Sequence, residues 1–216
     1  MDISYAMLSG GKAKRFGSDK TKALYKEKPL YIYGLETGLK VSCDVMHISK
    51  DAEKYKPFLE NVRYIQDDLE EICPMSGLIK AAEEAKHDDI FAVSADAPLI
   101  TWEFIKFLYI RFKDCDGVIP VINGKSYTLM SFYKRDVLQA MIYDYKNKNY
   151  KIIKSLERGI VDIETLKTTN ANLISTLDEV LKIQEEGRQG RKQAELELNK
   201  IEEDLKNKLM GLADKK

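Results

Sequence analysis

Apolar residues along the chain fall into short runs that alternate with stretches of helical spacing. Ile3 to Leu8 is a continuous apolar-rich run and predicts a first strand, buried in a sheet. Pro29 to Lys40 predicts a helix: proline suits a first turn, and Leu30, Ile32, Tyr33, Leu35 and Leu39 supply an apolar face. Val45 to Ser49 reads as a second strand, Asp51 to Leu59 as a short helix and Val62 to Ile65 as a third strand. Pro74 to Ala85 is helical with Met75, Leu78, Ile79 and Ala82 inward, and Ile90 to Val93 is a mid-sheet strand. Thr101 to Phe112 is a helix with a wide apolar surface at Trp102, Phe104, Ile105, Leu108 and Tyr109. Gly117 to Val121 and Tyr127 to Tyr133 flank an Asn123-Gly124 turn. Helices follow at Arg135 to Tyr145 and Lys151 to Leu156, then a last strand at Thr168 to Ile174 and a helix start capped by Thr176 and Glu179. Alternating strands and helices predict an α/β, Rossmann-like fold: a mixed, mostly parallel sheet flanked by helices.

The pattern changes at Lys182. Glu, Lys, Gln, Arg and Leu dominate from there, and Ala194, Leu198, Ile201, Leu205 and Leu212 recur at steps that suit one helix face. Gly187 and Gly190 form a hinge before that helix. The expected organisation is one domain over 1–181 and a charged amphipathic helical tail over 182–216. The tail is open to packing on its own domain, self-association or contact with a partner.

The 216 residues carry 35 Lys plus Arg and 35 Asp plus Glu, so the formal net charge is zero. This argues against general electrostatic binding to nucleic acid or to an anionic membrane. No apolar stretch approaches the roughly 20 residues that span a bilayer. Cys43, Cys73 and Cys115 are well separated and lack C-x-x-C spacing, so they read as reduced thiols packed as small apolar side chains. With no signal-peptide pattern at the start, a cytoplasmic protein is expected.

The chemistry concentrates in Leu8 to Lys20, LSGGKAKRFGSDK. Gly10 and Gly11 follow the first strand and let the backbone approach a ligand closely. Lys12, Lys14, Arg15 and Lys20 bring positive charge to the same loop. Backbone N–H groups and cationic side chains together suit a triphosphate. Five residues separate Gly11 from Gly17, which excludes the Walker spacing, and the G-x-G-x-x-G fingerprint is absent. A second feature is Asp96, in the run AVSADAP after the mid-sheet strand. Its place at the carboxyl edge of the sheet faces it toward the first loop, where a carboxylate and a triphosphate require a cation such as Mg²⁺ between them. Alternatively Asp96 or Thr101 caps the following helix.

The pattern G-G-x-x-x-R-x-G-x-D-K resembles the signature of sugar- and cofactor-nucleotidyltransferases, and within them the molybdenum cofactor guanylyltransferases. The resemblance implies a nucleotide-diphospho-sugar transferase type of fold. It implies GMP transfer from GTP to a phosphate of molybdopterin or molybdenum cofactor, with Mg²⁺ as cofactor and pyrophosphate as the leaving group. It implies nucleotide contacts at Leu8, Ser9, Gly10, Gly11 and Lys20, catalytic charge from Lys20 and Arg15, and metal binding by Asp96. Asp67 or Asp68 resembles the family's acidic residue near guanine, and Ser49 stands where many members place an asparagine that reads the base. Departures cluster later in the chain. Tyr127-Thr128 replaces a polar-proline approach, and Leu173, Ser175 and Leu177 replace two asparagines and a proline of the final motif. Two alternatives therefore stay open: a related guanylyl- or cytidylyltransferase with another acceptor, such as cobinamide phosphate, and a nucleotide-binding regulator without catalysis.

Overall fold

The structure, a computed structural model, describes residues 1–10, 24–25, 28–55, 59–98, 100–122, 124–158 and 163–167. The chain divides into two units, Met1–Thr176 and Leu177–Lys216, and every described residue lies in the first.

Ten strands and five helices are described: β1 (Ser4–Ser9), β2 (Leu24–Tyr25), β3 (Lys28–Pro29), α1 (Leu30–Val41), β4 (Asp44–Ser49), β5 (Val62–Gln66), α2 (Pro74–Glu84), β6 (Asp89–Ser94), α3 (Trp102–Phe112), β7 (Gly117–Ile122), β8 (Lys125–Ser126), β9 (Met130–Lys134), α4 (Arg135–Lys146), α5 (Ile152–Arg158) and β10 (Ile163–Lys167). The main sheet runs β10-β7-β9-β6-β1-β4-β5, with β8 paired to β7. β1 pairs in parallel with both β4 and β6, β5 continues in parallel beyond β4, and β10 is parallel to β7. β9 is antiparallel to β6 and β7. The mixed, mostly parallel sheet expected from the alternating pattern is therefore present.

Period-two alternation assigns the two faces. Ala6, Leu8, Met46, Ile48 and Ala92 pack with Met75, Leu78 and Ile79 of α2 and Leu138 and Met141 of α4. On the other face Tyr5 lies against Phe91, Phe91 against Phe132, and Phe132 against Phe112 of α3. α1 covers Tyr5 and Met7: the Tyr5 hydroxyl donates to the Gly34 carbonyl at 2.7 Å.

Four local expectations are corrected. Of the expected apolar face Leu30, Ile32, Tyr33, Leu35 and Leu39, only Leu35 is fully buried; the buried face of α1 is Tyr31, Gly34, Leu35, Gly38 and Val41. Glycine brings the helix backbone onto the sheet, and the larger side chains flank that seam. Residues Glu53–Tyr55 form one 3₁₀ turn where a short helix was expected. The return strand after β7 is split into β8 and β9, because residues 127–129 turn between them. Cys43 is exposed instead of packed inside, although all three cysteines are free. The strand expected at Thr168 to Ile174 lies outside the described residues, whereas β10 at Ile163–Lys167 was not anticipated.

Candidate active site

The chain runs outward from β1 through β4 to β5, then returns by α2 to β6 on the other side of β1. The crevice at the carboxyl ends of β1 and β6 is thus the switch point where open α/β sheets take ligands. Leu8 and Ser9 end β1 and are buried, and exposed Gly10 follows. A Cβ built on Gly10 would meet no atom of the described residues within 4 Å. The rest of the basic loop, including Gly11, Arg15 and Lys20, lies outside the described residues.

Asp96 is brought to this crevice by the turn after β6. The Ala95 N–H donates to the Leu8 carbonyl at 3.0 Å, which joins that turn to the end of β1. Ser94 Oγ donates to Asp96 Oδ1 at 2.5 Å. Asp96 does not cap α3. Thr101 does, its hydroxyl accepting from the Phe104 N–H at 3.3 Å. No group of three His, Cys, Asp or Glu that could hold a metal occurs among the described residues. A half-buried carboxylate with a neighbouring hydroxyl is an all-oxygen donor set. It fits Mg²⁺, which commonly takes one or two carboxylates and completes its shell with phosphate oxygens and water.

On the other side of β1, Ser9 and Ser49 are register partners at the ends of β1 and β4. Ser49 Oγ is buried and has no hydrogen-bond partner among the described residues. Asp67 follows β5, and its N–H donates to the Ser49 carbonyl at 2.7 Å. The Asp67 carboxylate is only 6% exposed: Oδ1 accepts from the Leu69 N–H at 3.1 Å, and Oδ2 accepts from Ser76 Oγ at 2.7 Å and pairs with Lys50 Nζ at 3.0 Å. Asp68 points outward at 68% exposure and meets Lys80 at 3.2 Å. The Lys80 hydrogen bond and charge hold its carboxyl below the usual carboxylate range. The structure thus separates two neighbours that the sequence could not distinguish. Asp67 is built into the edge, and Asp68 lies on the surface.

Sequence reasoning missed His47 and Lys50. His47 is buried on β4, with Nε2 2.6 Å from Ser9 Oγ. The rings of Tyr31, Tyr55 and Tyr64 surround it. Burial, with Tyr64 and Tyr55 beside it, pushes the Tyr31 hydroxyl up to about 12. Burial likewise raises the Tyr64 hydroxyl, so Tyr31 and Tyr64 present neutral phenols in this cluster. The available signal was spacing: His47 and Ser49 stand two apart in a strand and share a face.

A family model described as MobA-like NTP transferase domain matches residues 6–159. The chain belongs to this family. The relative named probable molybdenum cofactor guanylyltransferase in Aquifex aeolicus is 32% identical over 184 residues, covering 82% of this chain and 90% of that protein. The solved molybdopterin-guanine dinucleotide biosynthesis protein A of Archaeoglobus fulgidus has the same fold, with a TM-score of 0.68 at 21% identity, covering 83% of this chain and 97% of that one. Family membership makes the chain a nucleotidyltransferase.

A second similarity overlaps the first. A model described as Toxic anion resistance protein (TelA) matches residues 144–211. The TelA-like protein SSP1345 of Staphylococcus saprophyticus is 55% identical over 60 residues, which cover 28% of this chain but only 16% of that protein. The chain thus spans about a sixth of that relative's length. β10 lies beyond the MobA-like match and within the TelA match. No helix among the described residues is long and apolar enough to cross a membrane.

Proposed function

We propose that this chain transfers GMP from GTP to a phosphate of molybdopterin or molybdenum cofactor and releases pyrophosphate. The observation that carries this reading is the likeness to the Aquifex guanylyltransferase over nine-tenths of that protein's length. An oxygen of the acceptor phosphate attacks the α-phosphorus. The bond from that phosphorus to the bridging oxygen breaks, and its electrons leave with pyrophosphate. Little covalent chemistry falls to the protein, which aligns two anions and balances their charge. Leu8, Ser9, Gly10 and Gly11 line the nucleotide, with backbone N–H groups toward phosphate. Arg15 and Lys20 supply the catalytic positive charge. Ser49, Asp67 and Asp68 belong to the base side. Asp96 would hold Mg²⁺, which would supply positive charge against the phosphates. Free Cys43, Cys73 and Cys115 agree with a reducing, cytoplasmic setting. Residues 1–181 form the catalytic domain and 182–216 a separate helical tail for self-association or partner contact.

The test measures pyrophosphate release and thermal shifts with GTP, ATP, CTP and UTP, each with and without Mg²⁺. GTP with Mg²⁺ is expected to give the largest shift. Ligand at about 100 times its dissociation constant adds roughly 2.7 kcal/mol, or several degrees for a domain of this size. Lys20→Ala should lower turnover by about 10²–10³ without lowering thermal stability, and Asp96→Asn should abolish the Mg²⁺ dependence of binding. A CTP-specific shift moves the assignment to a cytidylyltransferase. Nucleotide binding without pyrophosphate release on any acceptor makes the chain a regulator.

A further inference from the structure

Lys50 directly follows Ser49 at the carboxyl end of β4. Its ammonium carries three N–H donors. One meets Asp67 Oδ2 at 3.0 Å and another the Leu69 carbonyl. The third has no partner among the described residues. With the side chain only 22% exposed, those two bonds fix where the charge sits.

The Asp67 carboxylate does not offer a free lone pair on both oxygens. A carboxylate that reads guanine must offer a free lone pair on each oxygen, one to N1–H and one to the exocyclic amine. Asp67 Oδ2 already takes Ser76 Oγ and Lys50 Nζ, and Oδ1 takes the Leu69 N–H. Asp68 is turned to the surface and held by Lys80. Beside them, the Ser49 hydroxyl is buried without a partner among the described residues. This edge has donors to give: the third Lys50 proton and the Ser49 O–H. Guanine offers acceptors, O6 and N7, whereas adenine places an amino donor at the position of O6.

From this arrangement we propose that Lys50 selects 6-oxopurine nucleotides by donating to the base oxygen, and that Asp67 is the positioning residue that holds Lys50. The proposal rests on the nucleotide reading above and names which edge of the base is read. A largely covered, fixed ammonium facing an amino group would leave both donors unsatisfied, so ATP is rejected by more than a missing bond.

The experiment measures binding of GTP, ITP and ATP to the full chain with Mg²⁺, in wild type, Lys50→Met and Lys50→Arg. ITP keeps O6, N1–H and N7 but lacks the exocyclic amine, so it separates the two edges without any substitution. ITP should bind within about fivefold of GTP, and ATP more than about tenfold weaker, the scale of one lost base contact. Lys50→Met should close the gap between GTP and ATP to less than about threefold, while Lys50→Arg keeps it. An ITP affinity more than about fivefold below that of GTP overturns the proposal, because the amine would then be read by an acceptor. A folded Lys50→Met that keeps the wild-type gap also overturns it. Should Lys50→Met not fold, the ITP comparison alone decides. A wild type that binds none of the three removes the nucleotide reading and the proposal with it. GTP binding with a failed ITP comparison removes the proposal alone.

Discussion

Asp44 holds the amino end of the sheet together as a single buried charge. It is 1% exposed, and Oδ2 accepts from Ser4 Oγ at 2.6 Å and from the Lys86 N–H at 2.9 Å, while Oδ1 takes Arg63 at 2.7 Å. Burial alone would raise its pKa. The hydrogen bonds from Ser4, Lys86 and Arg63, with the Arg63 charge, outweigh burial and lower it. A depressed folded value means that the carboxylate's contribution is fully present above the unfolded value of about 3.9 and is lost as pH falls through the folded one. Asp44→Asn is therefore expected to cost about 2 kcal/mol at neutral pH, the scale of hydrogen bonds to a charged group. It should also flatten the dependence of stability on pH below about 4. Urea unfolding from pH 3 to pH 7 on both proteins checks this, and parallel curves would show that Asp44 does not govern the acid limb. This charge is remote from the crevice, so the loss is one of stability and not of nucleotide selectivity.

At the scale of elements, the seam between α1 and β1 depends on two glycines that meet different neighbours. A Cβ at Gly38 would lie 2.6 Å from Cδ1 of the buried Tyr5 ring, whereas one at Gly34 would lie 2.4 Å from the flexible end of Met7. Alanine in a helix gains about 1 kcal/mol over glycine, so the two substitutions should differ. Gly38→Ala is expected to destabilise by about 1–2 kcal/mol net, since overpacking against a fixed ring commonly costs up to about 3. Gly34→Ala should lie near neutral because Met7 can move its terminal methyl. Denaturant midpoints of the two variants test the order. The same seam shows where reading the sequence stops. Strands β1, β4, β5 and β6 and helices α2, α3 and α4 were legible because burial follows large apolar side chains at a fixed period. The inward face of α1 was legible only at Leu35, because Gly34 and Gly38, which carry no hydrophobic signal, set the seam on which Tyr31 and Val41 are also buried. At the crevice, Asp96 could be named from its place after a strand, and Ser49 and the pair Asp67 and Asp68 from the resemblance. That Asp67 spends its oxygens on Ser76, Leu69 and Lys50 was hidden, since those partners meet only after α2 has folded back.

For the whole molecule, the two overlapping family similarities make a chain of two characters. The crevice beside β1 lies within the MobA-like match, and β10, which pairs in parallel with β7, lies after it. The outer part of a single sheet is thus built from sequence that resembles a different family. A chain ending at Leu181 keeps β10 and every assigned site residue, so it should retain turnover within a few-fold of the full chain. One ending at residue 159 removes β10 and exposes the edge of β7, and it should lose solubility or stability. Circular dichroism and turnover on both truncations separate the sheet's need for β10 from any need for the tail. The bond from the Ala95 N–H to the Leu8 carbonyl also bears on what binding costs. It makes the Asp96 turn a continuation of the sheet, so the carboxylate's position is fixed when the protein folds. In the proposed reading, a cation arriving there would meet a preorganised oxygen and would not have to order chain at that turn. Affinity at this edge then depends chiefly on stripping water from the ions.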